Sequence, residues 1–293
     1  MKFLVIPAML AVAALGLAGC GGEGRGPMAL PGTATPSAAA TPSNPCPPPV
    51  VPEPDTRSVT ALPAGAVGVR LCSLAYARST LAPEDELTTG VDRLVTQFNG
   101  AEGVDFVSMV PCPVDLGPSY AMVFRYPDGR VVTVSSMLAG CHTVGGKFGG
   151  QELLDTFVAL LAEQRQATPP KPVELRTCEG PEGSWMPVAL GDLVTISRCA
   201  RFGEDGDRVR TASADQWATL HADLIRSAGS GNYPDSPGKA VRFEAADALG
   251  QPVTLSRFGD TVVVHNERVG SRTPPTIWKP SPEALAILDQ LGR

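Results

Sequence analysis

The sequence predicts an α+β fold of two tandem repeats, each an antiparallel sheet with helices packed on one face and held by disulfides. Three observations predict it. Short apolar runs alternate with period two, apolar stripes of period 3.6 fall between them, and the same order of features, cysteines included, recurs in two stretches of the chain.

The first repeat opens with Cys46, followed by the approach Leu62-Pro63-Ala64-Gly65 and a strand from Val67 through Cys72. The second opens with Cys178, followed by Val188-Ala189-Leu190-Gly191 and a strand from Leu193 through Cys199. A helix follows in each, with Leu87, Val91, Leu94, Val95 and Phe98 on one face of the first and Trp217, Leu220, Leu224 and Ile225 on one face of the second. Pro83, Glu84 and Asp85 suit the opening turn of the first helix, and Ser213 with Gln216 reads as a capping box for the second.

A strand pair comes next. Ala121–Tyr126 and Val131–Val134 flank Pro127-Asp128-Gly129-Arg130, where Asp-Gly accepts the positive backbone angles of a tight hairpin. Val241–Glu244 and Pro252–Leu255 flank Leu249-Gly250-Gln251 in the same way. A third strand is expected near Cys141-His142-Thr143-Val144 and at Thr261–His265, and each repeat closes with a helix, Gln151–Ala162 and Pro282–Leu291. Ser281 caps the last helix, with Pro282 at its first position. The boundaries are then 58–167 for repeat 1, 168–175 for a proline-rich linker and 176–293 for repeat 2.

The repeat also selects a disulfide pairing. Cys46, Cys72, Cys112, Cys141, Cys178 and Cys199 leave many connectivities open in an exported chain. Cys46 with Cys72 and Cys178 with Cys199 occupy equivalent places, so each ties an approach segment to a strand, and Cys112 with Cys141 remains.

Residues 1–19 read as a signal peptide: Lys2, an apolar run from Phe3 through Leu17, then small residues. Leu17-Ala18-Gly19-Cys20 resembles the lipobox of bacterial lipoproteins. The resemblance implies that Cys20 is lipidated and becomes the first mature residue, which anchors the chain through its acyl chains to the outer, extracytoplasmic face of the cell membrane. Residues 20–57 follow as Gly, Pro, Ala, Thr and Ser with little to bury, which predicts a flexible stalk.

Within the body, Tyr126-Pro127-Asp128-Gly129-Arg130, its flanking strands and Gly140-Cys141 are similar to a pattern in uncharacterised secreted lipoproteins of high-G+C Gram-positive bacteria. The similarity covers mainly residues 105–162 and implies location and fold, with no catalytic residue or ligand attached.

The net charge of −6 and the lack of a basic cluster in the body point away from nucleic acid as a partner. The serine strings Gly117-Pro118-Ser119-Tyr120-Ala121 and Ser227-Ala228-Gly229-Ser230-Gly231 do not form a nucleophile elbow, because neither links a strand to a helix. Ser236-Pro237-Gly238-Lys239 matches a Ser-x-x-Lys string, but that motif needs a helix, which proline and glycine oppose. His142, His221 and His265 lack metal-ligand spacing, and Glu204-Asp205-Gly206-Asp207 lacks the alternating ligands of a calcium loop, so neither a metal nor a cofactor is expected. Trp217 fits its helix's buried stripe. Trp185 and Trp278 fall in expected loops and form the candidate binding surface.

The expected function is therefore a non-catalytic binding or adaptor module displayed outside the membrane. Its partner is an envelope protein or cell-wall component, no catalytic residue is named, and the lipid tethers the chain to the membrane. The alternative is an envelope hydrolase with a site formed between the repeats, built from His265, a carboxylate and a serine.

Overall fold

Val69 and Leu71 alternate with Arg70 and Cys72 in β1 (Gly68–Ser73), and that alternation decides which face of the first sheet is apolar. The computed structural model describes residues 46, 59–74, 80–104, 118–175, 177–178, 183–199, 209–234, 239–269 and 273–292, all within one unit. After β2 (Thr80–Leu81) come β3 (Ser119–Arg125), β4 (Val131–Met137) and β5 (Thr143–Val144). These form an antiparallel sheet of order β1-β3-β4-β5. The register aligns Leu71 with Met122 and Val134, and Val69 with Phe124, on the face covered by helices α1 (Val91–Gly100) and α2 (Gly150–Ala167). Leu94, Phe98, Leu154, Phe157 and Leu161 from those helices share this core.

The expected hairpin forms, with Gly129 at φ 82° and its N–H on the Tyr126 carbonyl. The first helix, however, starts later than the sequence suggests. Pro83, Glu84 and Asp85 lie outside it, and Leu87 pairs as a β-bridge with Val69. Tertiary partners claim this stretch. Asp85 binds Arg165, Glu86 binds Arg125, and Gln164 of α2 accepts from the N–H groups of Thr88 and Thr89. α1 therefore begins only after Gly90, whose φ of 73° breaks the extended run.

β6 (Gly183–Ser184), which pairs with β2, and a 3-10 turn at Leu190–Asp192 precede the second sheet, which opens with β7 (Leu193–Arg198) and β8 (Arg210–Thr211). Helix α3 (Ala214–Ser227) carries the expected capping box between Ser213 and Gln216. Then follow β9 (Ala228–Ser230), β10 (Val241–Asp247), β11 (Pro252–Phe258), β12 (Thr261–His265), β13 (Thr276–Trp278) and α4 (Pro282–Gly292). The strand order is β8-β7-β10-β11-β12-β13-β9. Ile196, Phe243, Ala245, Leu255 and Val264 meet Leu220, Leu224, Ala284 and Leu288 in its core. Ile225, expected on the buried stripe of α3, is instead 49% exposed. The β10–β11 turn repeats the geometry of the first hairpin: the Gly250 N–H donates to the Asp247 carbonyl and the Asp247 N–H to the Gln251 carbonyl.

Two of the expected disulfides are in place, Cys46–Cys72 and Cys178–Cys199, at Cα separations of 5.5 and 5.2 Å. Cys141 is disulfide-bonded, while Cys112, its expected partner, lies outside the described residues, as do Cys20 and the whole of the 20–57 stalk apart from Cys46.

The two sheets meet through the segment around β6. β2 and β6 pair in parallel, and the Trp185 N–H donates to the Leu81 carbonyl. Trp185 and Met186 are buried in the core of the first sheet, whereas Val188 lies in the core of the second. The chain thus crosses from one core to the other at Met186–Val188, downstream of the linker at 168–175. Asp155 of α2 binds Arg268, and the Val269 N–H reaches the Ser184 carbonyl.

Within the second core Asp223 of α3 joins three elements. Its Oδ2 accepts from the Trp278 indole and from the Ser281 N–H, and its Oδ1 faces Arg226. Burial works against the charged carboxylate, but the donors from Ser281, Trp278 and Arg226 hold its pKa below the usual carboxylate range. A depressed folded pKa contributes stability that is complete above the unfolded value and is lost as pH falls through the folded one.

Trp185→Ala is expected to lower stability by about 3–5 kcal/mol, the cost of removing a fully buried aromatic, measured by denaturant unfolding. Asp223→Ala is expected to cost about 3–5 kcal/mol at neutral pH. Thermal melts on the acid side should then show the wild type losing stability below about pH 4, with a flatter acid limb in the variant.

Candidate functional site

The tryptophans offered as a binding surface do not form one. Trp185 is fully buried (0% exposed): its indole N–H donates to Ser73 Oγ at 2.8 Å, and its ring meets Tyr120 edge-on, 5.7 Å between centroids. Trp278 is 1% exposed and lies on β13, not in a loop, with its N–H on Asp223 at 3.0 Å. An indole needs both an apolar surround and a partner for its N–H, and the cores supply both. Trp217 is partly buried and stacks on His221.

The serine and histidine candidates remain apart. Ser119 is fully buried at the start of β3, with its Oγ unpartnered. Ser227 donates to the Asp223 carbonyl at the end of α3, and Ser230 lies on β9. Nε2 of His221 pairs with the Leu190 carbonyl, and His142 has an unpartnered buried Nδ1 at φ 49°. His265 does find a carboxylate, Glu267 at 3.7 Å, together with the Tyr233 hydroxyl at 3.4 Å, but both approach the same nitrogen, Nδ1. A relay needs both ring nitrogens. Ser236 and Glu204–Asp207 lie outside the described residues.

A cleft of about 590 Å³ lies where the two sheets meet, the region in which the hydrolase alternative put its site, but its lining is not the one the sequence suggested. Leu81, Ala82, Pro83, Glu84, Asp85 and Arg165 line it from the first core, and Glu244, Leu249, Gly250, Gln251 and Pro252 from the second. The linker contributes Pro170, Lys171, Val173 and Glu174. Its size lies within the range of small-ligand and peptide pockets. Among the described residues that line it there is no serine, threonine, cysteine, tyrosine or histidine.

Arg165 joins the two sides of this cleft. It binds Asp85 through two N–H groups, at 2.8 and 2.6 Å, in the planar fork that guanidinium and carboxylate share. Gln251, with its amide oxygen turned to the guanidinium as the hydrogen-bonding pattern requires, accepts at 3.0 and 3.2 Å. Beneath it Asp247 is pushed up from the usual carboxylate range chiefly by burial, an effect opposed by the Gln251 and Leu249 N–H groups and by Arg165. The linker is fixed as well: the Val173 N–H donates to the Ala248 carbonyl, and Val173 lies where a side chain at Gly250 would stand, 2.9 Å from its Cβ position. With φ at 72°, Gly250 serves both the turn and this close approach.

Glu244 is the most buried polar group of the lining, at 2% exposure. Its Oε1 accepts the Cys178 N–H at 2.9 Å and its Oε2 faces Arg242 at 3.5 Å, so the buried charge has partners. Cys178 itself holds φ at 68°, which costs a side chain about 1–2 kcal/mol.

Glu244 and Arg165 were open to notice in the sequence only weakly. A carboxylate in the middle of an alternating strand is a signal, but an arginine at a helix end reads as a solvated side chain. No family model, curated protein or solved structure matches the chain. Among the described residues no helix is long and apolar enough to cross a membrane, and no cluster of side chains is set to hold a metal ion.

A double-mutant cycle of Arg165→Ala with Asp85→Ala should give a coupling of about 1–3 kcal/mol in denaturant unfolding. A value near zero would mean that Asp85 does not set the position from which Arg165 reaches Gln251.

Proposed function

We propose that this chain is a lipid-anchored envelope protein whose body is a non-catalytic binding module, with the cleft between the sheets as its recognition surface. The observation that carries this reading is the cleft itself: a concavity of about 590 Å³, fixed on both sides by Arg165 and lined by carboxylates, two cations and apolar groups, without a serine, cysteine, threonine or histidine among its described lining. The same composition speaks against the hydrolase alternative, in which His265 and a serine would share the space between the repeats.

We also infer that the two halves are tandem repeats, 58–167 and 176–293. Three features support this: the matching strand order β1-β3-β4-β5 and β7-β10-β11-β12, the identical hydrogen bonding of the two hairpin turns, and the disulfides at corresponding strand ends. Duplication gives a reason for the cleft, since two like units laid side by side leave a groove where they meet. The lipobox-like Leu17-Ala18-Gly19-Cys20 and the stalk of residues 20–57 support display outside the membrane on a tether, by their resemblance to bacterial lipoproteins. The pattern Tyr126-Pro127-Asp128-Gly129-Arg130 with its flanking strands and Gly140-Cys141 supports a relation to uncharacterised secreted lipoproteins of high-G+C Gram-positive bacteria, by resemblance alone.

The test is affinity capture from intact envelopes with the full chain as bait, comparing Lys171→Glu/Leu249→Arg in the cleft with Ile225→Glu on the exposed side of α3. A binding module loses its envelope partner with the cleft variant and keeps it with the other, and Cys20→Ser leaves the membrane fraction while binding the same partner. A partner retained by the cleft variant sinks the reading.

A further inference from the structure

We propose that the Cys178–Cys199 disulfide is a redox-sensitive latch on the Glu244 side of the cleft. Cys178 is one of two non-glycine residues with positive φ among the described residues, and its value of 68° lies in the left-handed region that side chains avoid. The bridge ties it to Cys199, the residue after β7. In that conformation the Cys178 N–H points at Glu244 and donates to Oε1 at 2.9 Å.

The carboxylate and the bridge are held by one strand pair. Glu244 of β10 lies directly opposite Ser197 of β7, two residues before Cys199, and Ser197 Oγ accepts from the Thr177 hydroxyl at 2.7 Å. The segment carrying Cys178 is therefore pinned beside the cleft by a hydroxyl, a sulfur bridge and a bond to a carboxylate of the lining. Cys46–Cys72 differs. Cys72 sits in regular register within β1, opposite Ala121, with no positive φ.

Opening the latch is thiol–disulfide exchange with a dithiol reductant. One thiolate of the reductant attacks a sulfur of the bridge, forming a mixed disulfide and releasing one cysteine thiolate. The second thiolate of the reductant attacks the mixed bond, leaves as a cyclic disulfide and releases the other cysteine; the two protons of the dithiol end on Cys178 and Cys199. Two electrons pass from reductant to bridge. Without the bridge Cys178 relaxes to a negative φ, its N–H turns from Glu244, and the carboxylate keeps Arg242 while losing its backbone donor. The side of the cleft that carries Glu244 then changes its charge presentation. This regulatory consequence rests on the cleft being the binding surface, whereas the latch itself does not, so it is tested with no ligand present.

The experiment is hydrogen exchange with mass spectrometry on the full chain, following the peptide that spans residues 173–185, with dithiothreitol as reductant and alkylation to report which cysteines are free. The expected result is alkylation of both Cys178 and Cys199 while circular dichroism stays native, with protection at Cys178 falling about five- to tenfold, the factor carried by one hydrogen bond of ordinary strength. Cys178→Gly/Cys199→Ala, which tolerates the left-handed backbone without sulfur, should keep that protection, and Cys178→Ala/Cys199→Ala should lose it. If the alanine pair does not fold, the titration of the wild-type chain decides. Unchanged protection on reduction, a bridge that opens only on global unfolding, or glycine and alanine pairs that behave alike would each overturn the proposal.

Discussion

Much of this structure depends on the burial of Trp185 in a core to which its sequence neighbourhood does not point. The residue follows the linker and precedes the second sheet, yet its indole fills the first core against Tyr120. Its N–H is satisfied by Ser73 Oγ, which in turn donates to the Thr80 carbonyl at 2.6 Å. A buried aromatic of this size contributes several kcal/mol through apolar burial, and the chain of bonds through Ser73 fixes its orientation as well as its depth. β2 and β6 pair because this anchor brings them together, and two residues on each strand would not suffice alone.

Once the anchor is set, the cleft follows from geometry. The ends of α2 and of the β10–β11 turn come within reach of one guanidinium, and Arg165 spans them. The ion pair of Arg268 with Asp155 joins the halves at another point. These contacts are polar and partly exposed, and each is worth far less than the buried indole. They hold a preferred spacing, which is what a recognition surface requires, because ordering a binding site in advance removes that cost from association.

The second core has its own organising group in Asp223, and the comparison with Trp185 is instructive. In both places a tryptophan N–H finds an oxygen, a hydroxyl in one core and a carboxylate in the other. Trp278 thereby links β13 to α3, while the Ser281 N–H adds the start of α4. A charge so buried is tolerated because its partners arrive from three elements at once, and it keeps the sheet's far strands in place beside the helices.

What the sequence by itself determined were the features with short-range causes. Alternation placed β1, β3, β4, β7, β10, β11 and β12, the Asp-Gly turn and Gly250 set both hairpins, Ser213 and Gln216 set the start of α3, and the equivalent places of the cysteines in the two recurring stretches gave both described bridges. Where distant partners competed, local pattern was overruled: Leu87 left the helix for Val69, Ile225 stayed in solvent, and Trp185 and Trp278 went inside. The cleft was decided only by tertiary structure. Its lining comes from three stretches of chain that carry no common periodicity or motif, and they meet chiefly because an indole is buried more favourably in the neighbouring core than in water.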